Sequence, residues 1–118
     1  MKNRRIIYSS IALEKRKSIK KVIKNQYGQL VADRHSSTIS KTIAKLKSYP
    51  QMGISMKEAY DIDCEYYMIF VEHNYFVYRI FEDKILILEV FNEKEDFIYQ
   101  LFGIVTTSQE SLEYWGDE

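Results

Sequence analysis

The chain has 118 residues, 46% of them hydrophobic, with four glycines, one proline and one cysteine. This length and composition suit one globular domain with its own core, and they exclude a disordered chain. A single cysteine excludes an internal disulfide and a cysteine-based zinc site, and it is typical of a reducing compartment. No apolar run reaches the roughly 20 residues that span a bilayer. The sequence therefore predicts a cytoplasmic protein without a membrane partner.

The net charge of zero conceals a strong asymmetry between the two halves of the chain. Residues 1–50 carry 13 lysines and arginines against two acidic residues, a balance of +11, and the remainder carries −11. A basic half of this kind predicts a surface for a polyanion or for an acidic partner. The alternative is that the two halves neutralise each other within the folded domain.

The basic half predicts a strand followed by two helices. We expect the strand at Arg4–Ser9 and the helices at Ile11–Tyr27 and Leu30–Ser48, because Gly28 and Pro50 are typical of helix ends. The apolar stripes at helical spacing are Ala12, Ile19, Val22, Ile23 and Tyr27 in the first helix and Ala32, His35, Ile39, Ile43 and Leu46 in the second. Together the helices form an αα-hairpin, whose apolar face we expect a sheet to cover.

The second half predicts an antiparallel meander. Tyr, Phe, Val and Ile dominate three runs, at Tyr66–Val71, Tyr75–Phe81 and Ile85–Phe91, and these residues favour strands. The breaks between the runs are too short for a parallel crossover, so antiparallel pairing follows.

Shorter elements and the domain limits complete the prediction. We expect a further short strand at Met56–Tyr60 and a short helix at Glu95–Phe102. The fold class is α+β, with an N-terminal strand, an αα-hairpin and then the antiparallel β-meander. The folded domain is predicted at residues 1–104, followed by an acidic C-terminal tail at residues 105–118.

Two-residue turns would divide the side chains of the meander between two faces. One face would hold Tyr67, Ile69, Val71, Phe76, Tyr78, Ile80, Ile85, Ile87 and Glu89, and the other Met68, Phe70, Val77, Arg79, Leu86, Leu88 and Val90. Because the second set is more aliphatic, we expect it to pack on the helices and the tyrosines of the first set to line an open surface. Exposed tyrosines would bind bases or a partner peptide; the alternative is that they pack across the strands.

The common catalytic motifs are absent from the sequence. It has no glycine-rich phosphate loop, no Gly-x-Ser-x-Gly and no His/Cys metal-ligand spacing, so we expect no metal and no cofactor. His35 lies on the apolar stripe of the second helix and is interpreted as a core histidine. His73 is interpreted as a solvated turn residue and Cys64 as an unreactive thiol.

An ordered set of residues between Arg5 and Gly103 resembles a known family. The set consists of Tyr8-Ser9, Ala12-Leu13, Ile43, Leu46, Tyr49-Pro50-Gln51-Met52-Gly53, Asn74–Ile80, Ile85–Val90, Asp96-Phe97 and Leu101-Phe102-Gly103-Ile104. It is similar to the RelE/ParE superfamily of bacterial type II toxin–antitoxin toxins, and in particular to the plasmid-stabilisation branch seen in Gram-positive bacteria. The resemblance implies a growth-inhibiting toxin that is neutralised by a cognate antitoxin encoded beside it.

The resemblance also implies two kinds of target. RelE-type toxins cleave messenger RNA on the ribosome without a metal, whereas ParE-type toxins act on DNA gyrase. If this chain is an endoribonuclease, Arg79 and Lys94 are the candidate charge stabilisers. Tyr67, Tyr78 and Asn92 are then the candidate residues of the pocket.

Several positions depart from the nuclease pattern. Tyr67 stands where relatives often have arginine, Asn92 where they often have tyrosine, and Glu95 reverses the charge of a common arginine. The alternative is therefore a catalytically degenerate toxin that survives as a protein–protein interaction module. A third interpretation is direct nucleic-acid binding through Lys15–Lys24, which predicts an affinity that falls steeply with salt.

Overall fold

A computed structural model describes residues 4–94, which form a five-stranded sheet and three α-helices. In chain order the elements are β1 (Arg5–Tyr8), α1 (Ser10–Tyr27), α2 (Gln29–Ala44), β2 (Ile54–Ser55), α3 (Met56–Tyr60), β3 (Tyr67–Val71), β4 (Asn74–Ile80) and β5 (Lys84–Asn92). The strand order is β1-β5-β4-β3-β2, with β1 parallel to β5 and the other neighbours antiparallel. The predicted α+β class, the N-terminal strand, the hairpin and the meander are confirmed.

The helical hairpin is bounded by local signals. Ser9 caps α1, because its Oγ accepts a hydrogen bond from the Ala12 N–H at 3.0 Å. The same hydroxyl donates to the Leu88 carbonyl at 2.8 Å, so the cap also ties α1 to β5. Gly28 separates the helices at a φ of +94°, which glycine adopts most readily. Beyond Ala44 the predicted second helix gives way to a 3-10 turn at Lys45–Lys47.

Only the base of the hairpin is covered by the sheet. The buried residues of the two helices are Ala12 near the start of α1 and Ala32, Ile39 and Ile43 in α2. Val22 and Tyr27, which were expected on the covered face of α1, are 51% and 64% exposed. That expectation is wrong because the helices leave the sheet as they run towards Gly28, so the sheet does not reach the far half of α1.

The assignment of the two sheet faces is reversed in the structure. The residues that pack with the helices in the main core are Ile69, Val71, Phe76, Tyr78, Ile85, Ile87 and Val90. The predicted inner set supplies Met68 and Val77 instead to a smaller cluster around Met56 and Phe91. A bulge in β5, where Val77 pairs with Glu89 but Tyr78 with Ile87, moves Val90 to the helix side. The large aromatic side chains of Phe76 and Tyr78 fill the space under the helices. The number of aliphatic residues in each set therefore did not predict which face of the sheet packs on the helices.

Met56–Tyr60 is a helix, α3, and not the predicted strand. Ser55 caps it by accepting from the Glu58 N–H at 3.3 Å, and Ser-x-x-Glu is the signature of a capping box. The strand that pairs with β3 comes just before it, at Ile54–Ser55. The predicted helix at Glu95–Phe102 and the predicted tail at residues 105–118 lie outside the described residues.

Candidate functional site

Tyr78 is fully buried, so the prediction that it lines an open face is wrong. Its hydroxyl donates to the Pro50 carbonyl at 2.8 Å and accepts from the Gly53 N–H at 3.2 Å. Gly53 has no room for a side chain, since an added Cβ would lie 2.5 Å from both the Tyr78 Oη and the Met68 carbonyl. Tyr78, Pro50 and Gly53, here called the Tyr78 clamp, therefore fasten the loop after α2 to the sheet.

The environment of the clamp keeps the Tyr78 phenol protonated. Burial raises the pKa of Tyr78 to about 12; the Gly53 hydrogen bond opposes the rise and the charge of Tyr67 adds to it. The Tyr67 ring stacks on the Tyr78 ring with centroids 5.6 Å apart, and Tyr67 is itself partly buried against the main core. Both tyrosines lie on the face of the sheet that forms the main core. A catalytic role for either tyrosine remains a prediction.

Arg79 lies on the sheet face away from the helices, so its predicted place on the inner face is wrong. It follows Tyr78 in β4, and successive side chains of a strand point to opposite faces. Its guanidinium forms an ion pair with Glu65 and lies over the Phe81 ring, 5.0 Å from the ring centroid. The Glu65 carboxylate therefore offsets part of the positive charge of Arg79, which a nuclease would need to stabilise a phosphate.

Asn92 and Lys94 lie together at the far end of β5. The Asn92 side-chain oxygen accepts a hydrogen bond from the Lys94 N–H at 3.0 Å, and both residues are exposed. Among residues 4–94 the Lys94 ammonium has no ion-pair partner. This end of the strand is therefore open to solvent.

The five predicted site residues do not converge on one point. Arg79 pairs with Leu86, and Asn92 lies six residues further along β5. At about 3.3 Å per residue the two side chains originate on the order of 20 Å apart. Tyr67 and Tyr78 neighbour Arg79 along the strands but belong to the opposite face. The structure thus brings Asn92 and Lys94 together and leaves the other three at a distance from them.

A groove of about 300 Å³ lies where the free half of the hairpin passes the end of the sheet. Its lining residues are Ser18, Ile19, Val22 and Ile23 of α1, His35 of α2, Glu72, His73 and Asn74 of the β3–β4 turn, and Asn92 of β5. We call it the hairpin groove. Its α1 wall is apolar, because the stripe of α1 continues past the region that the sheet covers.

The opposite wall of the hairpin groove is polar and is shaped by a strained turn. Glu72 and His73 have φ values of +51° and +64°, as in a type I′ turn, although neither residue is glycine. Asn74 donates to the Glu72 carbonyl at 2.7 Å, and the His73 Nδ1 lies 2.8 Å from the Glu93 carboxylate. The turn thus presents charged and hydrogen-bonding groups beside the apolar α1 wall.

His35 connects the two walls of the hairpin groove. Its side chain is 13% exposed, and its Nε2 lies 3.7 Å from the Glu72 carboxylate. The predicted core histidine is therefore at the margin of the core. His73 is 75% exposed in the turn, as predicted.

The apolar stripe of α1 is the feature of the sequence that points to the hairpin groove. Ile19 still packs against the main core, and Val22 and Ile23 continue the apolar stripe of α1 beyond it. Their contact with Glu72 and His73, more than 45 positions later, depends on the packing of the whole domain. Periodicity identified the stripe but not the wall that faces it.

The described residues show neither a metal-binding cluster nor a membrane-spanning helix. Within residues 4–94 no group of three or more His, Cys, Asp or Glu side chains is placed to hold a metal ion. Over the same residues, no helix has the length and apolar character needed to cross a membrane.

The fold and the hairpin groove together define a small α+β protein whose groove has an apolar wall on α1 and a polar wall at the β3–β4 turn. The model of the family described as the ParE toxin of the type II toxin–antitoxin system parDE matches residues 6–97. The chain therefore belongs to the ParE toxin family. The resemblance to the RelE/ParE superfamily is confirmed, and membership implies an antitoxin partner.

A solved structure agrees with this assignment at the level of the fold. A chain from the chromosomal ParDE toxin–antitoxin system of P. aeruginosa matches with a TM-score of 0.63 and 13% sequence identity. The match covers 76% of this chain and 96% of the other. A comparison with curated protein sequences finds no match.

Proposed function

We propose that this chain is a growth-inhibiting toxin that acts by binding DNA gyrase and not by cleaving messenger RNA. The observation that carries this choice is the dispersal of the five candidate nuclease residues. Charge stabilisation of a transition state requires donors fixed around one reacting group. Arg79 is paired with Glu65, and it originates on the order of 20 Å from Asn92 along the sheet.

The hairpin groove is the proposed site for the antitoxin. Its α1 wall exposes Val22 and half-buried isoleucines, and the hairpin continues past it with Tyr27 and Leu30 at 64% and 72% exposure. An apolar strip beside a polar wall suits an amphipathic helix, whose apolar side lies on α1 and whose polar side faces the turn. The proposed occupant is a helical segment of the antitoxin.

Replacement of one exposed groove residue tests this proposal. Val22→Glu places a charge on the apolar wall, where an incoming helix would have to desolvate it. We expect at least a tenfold loss of antitoxin affinity in titration calorimetry, with little change in thermal stability because Val22 is 51% exposed. In cells, growth arrest by this variant should no longer be relieved by co-expression of the antitoxin.

Ile11→Glu is the matched control. Ile11 is 56% exposed on the same helix but does not line the hairpin groove, and an acidic residue is tolerated in the first turn of a helix. This variant should bind the antitoxin as the parent does. Equal affinity of the Val22→Glu variant and the parent would show that the antitoxin binds elsewhere.

A further inference from the structure

The side of α1 that faces away from the hairpin groove carries a continuous stripe of lysines. Lys17, Lys20, Lys21 and Lys24 occupy positions i, i+3, i+4 and i+7, are all exposed, and together with Gln29 line a shallow depression. At 100° per residue the stripe is centred roughly 180° around the helix from the groove-lining residues of α1. We call these four residues the lysine stripe.

Little of this positive charge is neutralised within the described part of the chain. Lys20 lies 3.5 Å from Asp33, whereas Lys17, Lys21 and Lys24 form no ion pair among residues 4–94. Residues 10–44 carry eight lysines and arginines against Glu14 and Asp33, a balance of +6. The hairpin therefore keeps a strong positive field at its surface.

The two other basic residues between Lys15 and Lys24 have structural roles. The Lys15 ammonium contacts the Glu89 carboxylate at 2.7 Å and the Val90 carbonyl at 3.1 Å. Arg16 donates to Tyr8, Ser36 and Ser40 and so joins the two helices to β1. Within Lys15–Lys24, therefore, only the four residues of the lysine stripe remain available to bind a nucleic acid.

We propose that the lysine stripe binds the phosphodiester backbone of a nucleic acid. Neighbouring lysines at i+3 and i+4 lie about 5–6 Å apart, close to the spacing of successive phosphates, and ammonium groups act on phosphates as point charges. An acidic protein is the less suitable ligand, because protein interfaces need apolar or aromatic anchors and are depleted of lysine. The lysine stripe itself contains no such anchor: Val22 lies on the opposite side of α1, and the exposed Leu13 and Tyr27 lie beyond its two ends.

This inference goes beyond the proposed function and stands apart from it. Antitoxin binding in the hairpin groove would leave the lysine stripe accessible, since the two surfaces lie on opposite sides of α1. A failure of nucleic-acid binding with growth arrest intact would remove only the present inference.

The test measures binding of the full chain to labelled nucleic acid over a range of salt concentrations. Fluorescence anisotropy with a 20-nucleotide single-stranded RNA and with a 20-base-pair DNA duplex distinguishes the two sources of the backbone. The variant K17A/K21A/K24A removes three unpaired charges. For the single strand we expect its salt slope to fall by about 2 and its affinity to fall roughly 100-fold at 0.1 M salt.

A second triple variant controls for net charge. K41A/K45A/K47A removes three exposed lysines from α2 and the following 3-10 turn, so it lowers the net charge equally at another place. We expect its affinity to stay within threefold of the parent, with unchanged circular dichroism for both variants. Equal losses in the two variants, an affinity that does not change with salt, or equally tight binding of poly-glutamate would each overturn the proposal.

Discussion

Strand β4 ends in two different environments. Near one end, the Tyr78 hydroxyl is buried and makes two hydrogen bonds that hold the Pro50–Gly53 loop. At Asn74, the other end, the chain leaves a strained turn whose side chains border the open hairpin groove. One end of the sheet therefore holds the fold together, whereas the other end borders an open groove.

The two ends should respond differently to substitution. Changes at the Tyr78 clamp should act on the free energy of unfolding, because buried groups lose their partners or collide. Changes at the turn and the hairpin groove should alter binding more than stability, because these residues are partly solvated.

Gly53→Ala should be the most destabilising single change. The added methyl group would lie 2.5 Å from the Met68 carbonyl, a backbone atom that cannot turn away, and 2.5 Å from the Tyr78 hydroxyl. We expect the free energy of unfolding, measured with urea, to fall by roughly 3 kcal/mol. Gln51→Ala, at an exposed position of the same loop, is the control and should change it by less than about 0.5 kcal/mol.

Tyr78→Phe should be the next most costly change. It preserves the ring but leaves the Pro50 carbonyl and the Gly53 N–H without their partner. A loss of roughly 2 kcal/mol in urea unfolding is expected for a buried pair of this kind. An unchanged unfolding midpoint would mean that solvent reaches these groups and that the clamp is not closed.

The raised pKa of Tyr78 predicts that the stability of the protein depends on pH in the alkaline range. The pKa of Tyr78 is raised from 10 when unfolded to about 12 when folded, so the folded state keeps a proton that the unfolded state releases. Its stabilising contribution is complete below pH 10 and should be lost as the pH rises from 10 towards 12. The difference in unfolding free energy between the parent and Tyr78→Phe should narrow over this range; a constant difference would contradict the raised pKa.

Replacing the strained turn should stabilise the protein slightly. Asn-Gly at positions 72 and 73 suits the two left-handed conformations that Glu72 and His73 now adopt. We expect a gain of about 0.5–1 kcal/mol in urea unfolding, together with weaker antitoxin binding because the polar wall of the hairpin groove is removed. The same replacement at positions 82 and 83 is the control, since neither residue has a positive φ, and it should bring no gain.

The sequence predicted the order and type of most elements because their signals are local. Gly28 marked the boundary between α1 and α2, and the short breaks at Glu72 and Glu82 required antiparallel pairing. The end of α2 was less well predicted, because the helix stops at Ala44 and not at Ser48. The strand predicted at Met56–Tyr60 failed where a capping-box signal at Ser55 was overlooked. Local signals therefore predict the type and order of the elements better than their exact ends.

Features that depend on packing were not predictable in the same way. Tyr78 lies on the buried face because the Pro50–Gly53 loop supplies the hydrogen-bond partners of its hydroxyl. These partners lie 25 to 28 positions earlier in the chain. The β5 bulge moves the Val90 side chain to the other face of the sheet. No glycine or proline in β5 marks the position of this bulge. The hairpin groove joins α1 to the turn at Glu72, which no periodicity reveals.

The most direct test of the account compares gyrase with messenger RNA as the target. Purified protein should inhibit DNA supercoiling by gyrase, the antitoxin should relieve the inhibition, and an Arg79→Ala/Lys94→Ala variant should inhibit as well as the parent. Primer extension on messenger RNA from arrested cells should show no new cleavage sites. Ribosome-dependent cleavage that disappears in this variant, with supercoiling unaffected by the parent, would contradict the account.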